Sequence, residues 1–262
     1  MAGPNTDKGG IALDGLTKRH LDIVILGGGP CDEAMRQFTG CEFRSQVECA
    51  GRRLGDIALA AARQLGRTVF VGPEGFEADI TVPPGATFIE SLRLGLAASG
   101  DIVLVVTADL PLLGPSHLQA FVRDWGSFEG VVYAVCSTAE CQRVAPGLKR
   151  TCVKFREGEF TGGNVVGAPN QMLLQLLSVI EQGYAARKSP LRLARLVGGR
   201  MMGMMAMSRL TPFPPSVFDV GREAGRKLGC PVQILVTSDA EIATDIDSIE
   251  HLHALRNLQN PT

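Results

Sequence analysis

Three aspartates stand at positions where a bound ligand is expected. Asp109 directly follows a nearly all-apolar run, residues 101–107, which predicts a strand buried on both faces. In open α/β sheets ligands bind at the carboxyl ends of the strands, and a buried carboxylate there needs a compensating charge such as Mg²⁺. Asp245 and Asp247 lie two residues apart, so on an extended segment they point the same way. The sequence therefore predicts Mg²⁺ on Asp109 and on Asp245 or Asp247. The alternatives are that Asp109 caps a helix near Ser116 or lies in a turn, and that Asp247 or Ser248 caps the last helix.

Three consecutive glycines follow the first apolar run. Gly27, Gly28 and Gly29 allow a ligand to approach the backbone closely, and their N–H groups could face phosphate. The sixth position of a dinucleotide-binding fingerprint is Asp32, and no Gly-Lys-Ser/Thr follows, so neither that fingerprint nor a P-loop is present. The segment is therefore either a different nucleotide-binding turn or an ordinary turn between strand and helix.

Two later segments could meet a second, anionic substrate. Residues 160–164, FTGGN, end at Asn164, whose amide can both donate and accept hydrogen bonds. The alternative for this segment is a hairpin turn. The stretch from 182 to 218 contains no Asp or Glu but includes Lys188 and Arg192, which makes it an anion-binding face or a solvated basic surface.

Alternating apolar runs and amphipathic stretches indicate how these residues are positioned. The expected strands are Leu21–Leu26, Thr68–Val71, Asp101–Thr107, Gly130–Cys136 and Val232–Val236. The expected helices are Leu54–Leu65, Phe88–Ala98, Ser116–Trp125, Asn170–Glu181 and Ile249–Leu258. This order predicts a mostly parallel sheet covered on both sides. Residues 1–20 are expected to be a loose tail, residues 21–262 a single domain, and residues 140–165 an insertion over the sheet.

The composition excludes several classes of protein. The chain has 262 residues, 45% of them hydrophobic, and a net charge of −1, so no global positive field would hold nucleic acid. No apolar run is long enough for a membrane span, and the first residues lack the apolar core of a signal peptide. Seven scattered cysteines without a C-x-x-C pair favour reduced thiols. We therefore expect a cytoplasmic protein that binds neither nucleic acid nor membrane.

Four motifs in order resemble the MobA-like nucleotidyltransferases. They are LGGG after the first strand, ADLPLL after a buried strand, FTGGN in the middle and DIDSIEHL near the end, and together they extend over about residues 21–255. The resemblance implies a three-layer, Rossmann-like fold of the GT-A type. It also implies an Mg²⁺-dependent reaction that joins a nucleoside triphosphate (NTP) to a phosphorylated small-molecule acceptor and releases pyrophosphate.

The resemblance also assigns roles to individual positions. It implies that the nucleotide lies against Leu26, Gly27, Gly28, Gly29 and Ala108. Arg44 stands where the family has a lysine that holds the triphosphate, and Asp109 stands where the family binds Mg²⁺, often shared with a late aspartate such as Asp245 or Asp247.

The acceptor is expected to meet Gly163, Asn164, Lys188 and Arg192, with Asn164 orienting either the ribose or the acceptor. The family's Arg-Met-Gly after the first loop is missing, and residues 30–36, PCDEAMR, replace it. A nucleotide-binding regulator that has lost its chemistry is therefore the alternative. A Met-rich segment, residues 201–207, is expected in the core or in a subunit contact, which leaves a homodimer open.

Overall fold

A mixed eight-stranded sheet forms the centre of the computed structural model, which describes residues 20–148, 150–186, 203 and 214–259. Its strands are β1 Leu21–Leu26, β4 Arg67–Val71, β5 Ile80–Val82, β6 Ile102–Thr107, β7 Val131–Ser137, β8 Val153–Phe155, β9 Gly158–Pro169 and β10 Val232–Thr237. The order is β10-β7-β9-β6-β1-β4-β5, with β8 paired to β9. Pairs that include β9 are antiparallel and the others are parallel. A separate short hairpin joins β2 Glu48–Cys49 to β3 Arg52–Arg53.

Helices cover both faces of this sheet. They are α1 Glu33–Thr39, α2 Leu54–Ala62, α3 Phe88–Ala97, α4 Pro115–Trp125, α5 Thr138–Val144, α6 Asn170–Ala186, α7 Val217–Leu228 and α8 Ile249–Gln259. Apolar residues of α2, α4 and α8 share one buried cluster, whereas those of α3 and α6 share another. The three-layer, mostly parallel architecture predicted from the sequence is thereby confirmed. No helix in the described part of the chain is both long and apolar enough to cross a membrane.

The alternation of side chains along the central strands explains this layering. In β1, Ile23 and Ile25 pack into the cluster with α2 and α4, while Val24 and Leu26 pack into the cluster with α3 and α6. A strand buried on both faces has no polar side to display, so it reads as an unbroken apolar run. For that reason β1 and β6 could be found directly from the sequence.

All ten expected elements occur, with shifts at their ends. The largest shift is in α6, which continues beyond Glu181 to Ala186. Three helices had not been expected from the sequence: α1, α5 and α7. The first begins at Asp32, whose carboxylate accepts the Met35 N–H at 2.7 Å and so caps the helix. Residues 1–19 of the expected tail lie outside the described part of the chain.

The expectation that residues 140–165 lie over the sheet is wrong. Strand β9 lies inside the sheet between β6 and β7 and pairs antiparallel with both. Its apolar pattern is hidden because glycines make room for large neighbours. A Cβ on Gly167 would lie 2.6 Å from the Trp125 ring, and a Cβ on Gly162 would lie 2.1 Å from the Tyr133 hydroxyl. The FTGGN segment is therefore strand, and the hairpin turn precedes it between β8 and β9.

A buried carboxylate near the N-terminal end of β1, Asp22, gives a test of the fold. Asp22 is 2% exposed and accepts hydrogen bonds from the Arg67 guanidinium and from Gly100 N at 2.6 Å. Asp22→Asn is expected to lower the free energy of unfolding by about 2–3 kcal/mol, because hydrogen bonds to a charged group contribute about 1.5–3 kcal/mol. The control is Asp56→Asn, which loses a half-exposed pair with Arg53 and should cost at most about 1 kcal/mol. The unfolding free energy of both variants is measured by urea denaturation. An equal loss in Asp22→Asn and Asp56→Asn would contradict the assignment of Asp22 as a buried, stabilising hydrogen-bond acceptor.

Candidate functional site

Backbone hydrogen bonds join three segments at the carboxyl ends of β1 and β6. Ala108 N donates to Leu26 O at 3.0 Å, so the chain leaving β6 stays beside the end of β1. Ile246 N donates to Asp109 O at 3.0 Å, which brings the late segment to the same place. Ile246 is fully buried in the core, and therefore the aspartates on either side of it face the opposite direction. This edge is where open α/β sheets bind their ligands.

The structure brings Asp109, Asp245 and Asp247 together. Each contributes a carboxylate oxygen, and these oxygens lie within 4.8 Å of one another. Among the described hydrogen bonds, neither Asp109 nor Asp247 caps a helix. Helix α4 begins at Pro115, after Gly114, whose N–H donates to His117 Nδ1. The start of α8 is capped by Ser248, which confirms that alternative for the last helix. We call Asp109, Asp245 and Asp247 the acid trio.

The acid trio has the donors and the charge that a hard divalent cation requires. Burial, followed by the charges of Asp109 and Asp247, raises the pKa of Asp245 to about 7. Asp109 Oδ1 is buried and accepts no hydrogen bond from any described residue. Carboxylate oxygens are the ligands that Mg²⁺ prefers, and a bound cation would satisfy both the crowded charge and the unpaired oxygen. The trio therefore fits Mg²⁺.

The raised pKa of Asp245 gives a pH-dependent stability. The unfolded carboxyl titrates near 3.9, so between about pH 4 and 7 the folded chain holds the extra proton and loses stability as the pH rises. In EDTA, the unfolding free energy of Asp245→Asn relative to the wild type should rise by about 2–4 kcal/mol from pH 4 to pH 8, on top of a pH-independent loss from the missing contact with Arg150. Mg²⁺ should reduce this rise at pH 8, since it stabilises the wild type. Urea denaturation across this range measures the difference between the two proteins, and a difference independent of pH would contradict the assignment.

Arg44 lies between the glycine turn and the acid trio. Its backbone N donates to Gly29 O at 2.8 Å. Its guanidinium Nη1 is 2.7 Å from Asp109 Oδ2 and 2.6 Å from Asp247 Oδ1. Burial opposes the charge of Arg44, but the carboxylates of the trio outweigh it and raise the arginine's pKa. Arg44 was predicted to hold a triphosphate; in the structure it is the counter-ion of two carboxylates, and its Nε has no partner among the described residues.

The three glycines are in close contact with their neighbours. A Cβ would lie 2.3 Å from the Phe70 ring at Gly27, 2.5 Å from Pro84 at Gly28 and 2.8 Å from Arg44 Nη2 at Gly29. The Gly27 amide donates to Val71 O, whereas no acceptor for the Gly28 and Gly29 amides lies among the described residues. Gly28 and Gly29 are partly exposed, so their amides, which have no acceptor among the described residues, could meet a phosphate beside Arg44. Leu26 and Ala108 lie beneath this turn, and both are buried.

The residues assigned to the acceptor are only partly within the described chain. Val106 pairs with Val165, and the next positions along that ladder are Thr107 and Asn164. Asn164 therefore lies at the level where β6 ends, two residues before Asp109. Gly163 is buried against Ala134, beside an irregularity in the pairing of β7 with β9. Lys188 and Arg192 lie outside the described residues.

Sequence reasoning missed Arg150. Its Nη1 donates to Ala243 O and lies 3.3 Å from Asp245 Oδ1, so a second arginine contacts the acid trio. One partner is a backbone carbonyl, which leaves no trace in residue types. The residues Arg150 and Asp245 are 95 positions apart, and the segment that carries Arg150 had been assigned to an insertion. A basic residue in a polar, Gly-rich segment was the only available signal.

Comparison with known proteins gives a match of substantial identity. No family model and no curated protein matches the chain. A hypothetical transferase from Thermus thermophilus is 30% identical, with a TM-score of 0.79 over 89% of this chain and 99% of the Thermus chain. The chain belongs to the family of this Thermus transferase.

Other solved structures share the fold of this transferase family at lower identity. The 2-C-methyl-D-erythritol 4-phosphate cytidylyltransferase of Thermus thermophilus is 16% identical, with a TM-score of 0.52 over 91% of this chain and 98% of that one. The CMP:2-keto-3-deoxy-manno-octonic acid synthetase complexed with CTP is 10% identical, with a TM-score of 0.53 over 92% and 98%. The chain thus has the Rossmann-like fold of the nucleotidyltransferase superfamily.

Proposed function

We propose that the protein is an Mg²⁺-dependent nucleotidyltransferase of the MobA-like type, which joins an NTP to a phosphorylated small molecule and releases pyrophosphate. One observation carries the proposal: the acid trio, Arg44 and the free Gly28 and Gly29 amides converge at the carboxyl ends of β1 and β6. Membership of a transferase family and the nucleotidyltransferase fold support it. A carboxylate trio alone would suit many metal sites; the adjoining phosphate donors favour a triphosphate.

Each part of the site has a distinct task in this proposal. Mg²⁺, held by Asp109, Asp245 and Asp247, would neutralise charge on the phosphates. The Gly28 and Gly29 amides would hydrogen-bond phosphate oxygens, because no described residue accepts from them and a Cβ at either position would collide with its neighbours. Arg44 would bind the triphosphate through the guanidinium edge that is not used on carboxylates. These fixed donors would orient the α-phosphorus so that the acceptor attacks it from the side opposite the leaving pyrophosphate.

An acceptor that attacks through a phosphate needs no general base. The second ionisation of a phosphate monoester has a pKa of about 6, so at neutral pH the nucleophile already carries its charge. The roles remaining for the protein are to hold that anion and to orient it. In this proposal Asn164, at the end of β6 beside Gly163, orients the ribose or the acceptor, and Lys188 and Arg192 attract the acceptor's charge.

One observation favours a second candidate, a nucleotide-binding protein without transfer activity. The Asp32 carboxylate caps α1 and Glu33 follows it, so two acidic residues stand directly after the glycine turn. Negative charge close to the phosphates would weaken triphosphate binding. A protein of this kind would bind an NTP through Arg44 and the glycine turn and would release no pyrophosphate.

Pyrophosphate release distinguishes the two candidates. The purified protein is incubated with each of the four NTPs and a small-metabolite extract, with Mg²⁺ or with EDTA. We expect pyrophosphate with one preferred NTP, only with Mg²⁺, and its loss when the extract is first treated with phosphatase that is then removed. Release unaffected by phosphatase would contradict a phosphorylated acceptor. Stabilisation by an NTP in a thermal-shift assay without any release would support the second candidate.

A further inference from the structure

Arg150 is held in place by the loop between α5 and β8. Gln142 of α5 fixes that loop, since its side chain donates to Leu148 O at 3.0 Å and accepts from Gly147 N at 3.1 Å. Leu148 is itself buried. The arginine side chain that follows is 7% exposed. A charged group this deeply buried requires partners for all its donors.

Among the described residues, partners are found for one nitrogen of the Arg150 guanidinium, Nη1. Nη1 donates to Ala243 O and faces Asp245. Nε and Nη2 are buried, and no described residue accepts a hydrogen bond from either. Leaving a buried donor unpaired is unfavourable by about 1–3 kcal/mol, and more when it is charged. Two such donors on one group lack an acceptor among the described residues, and a bound oxyanion would supply one.

Nε and Nη2 of Arg150 form the edge through which a guanidinium binds oxyanions. Nε–H and the adjacent Nη2–H point the same way and match two oxygens of a carboxylate or phosphate. The same chain uses this edge elsewhere: Arg67 binds the two oxygens of Asp22 through Nε and Nη2. A single water would satisfy this edge less well than an oxyanion would, because a neutral water adds no opposite charge.

The topology places this edge away from the glycine turn. In the sheet, β1 lies on one side of β6, and β9 and then β7 lie on the other. Arg44 reaches the acid trio from the β1 side, where it contacts Gly29. Arg150 reaches it from the segment that follows β7 and α5. A nucleotide on the glycine turn would therefore leave the Arg150 side of the trio for the other substrate.

We propose that the Nε–Nη2 edge of Arg150 binds an oxyanion of the acceptor, a phosphate or a carboxylate, and holds it beside Asp245. This inference rests on the proposed function, because it assigns the acceptor's anion to one residue of the same site. Recognition by a fixed, buried fork selects acceptors that carry such a group and disfavours neutral ones, which would leave both donors unpaired. Arg150 also positions Asp245 through Nη1, so its two tasks must be separated by experiment.

Three substitutions separate anion binding by Arg150 from its positioning of Asp245. Arg150→Lys keeps one cation that can reach Ala243 O or Asp245 but cannot form the fork. Arg150→Met removes both the fork and the charge. Arg143→Lys is the matched control, since Arg143 belongs to α5 in the same region but is 68% exposed and pairs with Glu140.

The test measures anion binding by the full chain as the shift in melting temperature with inorganic phosphate, in EDTA and at constant ionic strength. All proteins in this test carry Arg44→Ala, which removes the cation that would hold phosphate at the glycine turn. In that background the parent protein and Arg143→Lys should respond saturably, whereas Arg150→Lys should need about ten- to hundredfold more phosphate and Arg150→Met should show no saturable response. A titration with acetate distinguishes the ligands: a response to both anions indicates any oxyanion, and a response to phosphate alone indicates a phosphate. A phosphate response in Arg150→Lys equal to that of the parent protein would overturn the inference.

A second measurement separates this inference from a purely structural role and from the proposed function. Mg²⁺ affinity, measured by calorimetry without phosphate, should be nearly unchanged in Arg150→Lys, because the lysine ammonium can still form an ion pair with Asp245. Loss of Mg²⁺ affinity in parallel with the phosphate response would show that Arg150 only positions Asp245 and would overturn the inference. Stabilisation by Mg²⁺ with each of the four NTPs is recorded separately, and its absence in the wild type would contradict the proposed function while leaving the phosphate result standing.

Discussion

Asp109→Asn is expected to reduce pyrophosphate release by about 10³-fold or more, with little change in the fold. Asp109 is the most buried member of the acid trio, contacts Arg44 and leaves Oδ1 without a described partner. An amide has nearly the same shape but no charge, so it would neither hold Mg²⁺ nor balance Arg44. Removing one preorganised charged group from an active site lowers turnover by about 10²–10³-fold, and groups that act as a unit lose more.

The measurement for Asp109 is steady-state pyrophosphate release at saturating NTP and over a range of Mg²⁺ concentrations. Asp101→Asn is the control, because Asp101 is an exposed carboxylate at the opposite end of the same strand and should leave the rate unchanged. The melting temperature of both variants shows whether the fold is intact. Mg²⁺-dependent turnover of Asp109→Asn close to that of Asp101→Asn would remove Asp109 from the metal site and with it the main support for the proposed reaction.

The sequence predicted the parts of the site that stand at the ends of fully buried strands. Gly27 and Asp109 follow β1 and β6, whose nearly continuous apolar runs, interrupted in β1 by Asp22, are typical of strands buried on both faces. The pair Asp245 and Asp247 was also predictable, since Ile246 between them alternates with them and enters the core. These positions depend on local pattern and on the general rule for sheet edges.

The parts that the sequence did not predict depend on contacts between distant segments. Strand β9 was missed because Gly162 and Gly167 make room for Tyr133 and Trp125, and that need appears only when the strands are paired. Arg150 was missed because it is fixed by a backbone carbonyl 93 residues away. For Arg44, the family resemblance pointed to a phosphate, and only the structure reveals its contacts with Asp109 and Asp247. Residue types alone do not encode these relations.

Arg44→Ala is expected to have two opposite effects, because Arg44 faces both the trio and the glycine turn. Turnover should fall by about 10²–10³-fold, the usual result of removing one charged donor aimed at a reacting phosphate. The affinity of the nucleotide-free protein for Mg²⁺ should rise, since in the ligand-free chain Arg44 Nη1 contacts the carboxylate oxygens of Asp109 and Asp247 that the cation would use. Arg44→Lys should retain much of the turnover if charge matters more than the planar fork.

Calorimetry with Mg²⁺ alone and pyrophosphate release with Mg²⁺ and NTP measure these two effects independently. Arg36→Ala is the control, because Arg36 is a nearby arginine that donates to Cys31 O, with no contact to the acid trio among its described bonds. If turnover falls while Mg²⁺ affinity rises, Arg44 both supplies a cation to the triphosphate and competes with Mg²⁺ for the carboxylates of Asp109 and Asp247. A fall in both would mean that Arg44 only supports the trio from one side. Unchanged turnover in Arg44→Ala would remove Arg44 from the triphosphate site. Arg36 would then be the better candidate for that role, because it also follows the glycine turn in the sequence.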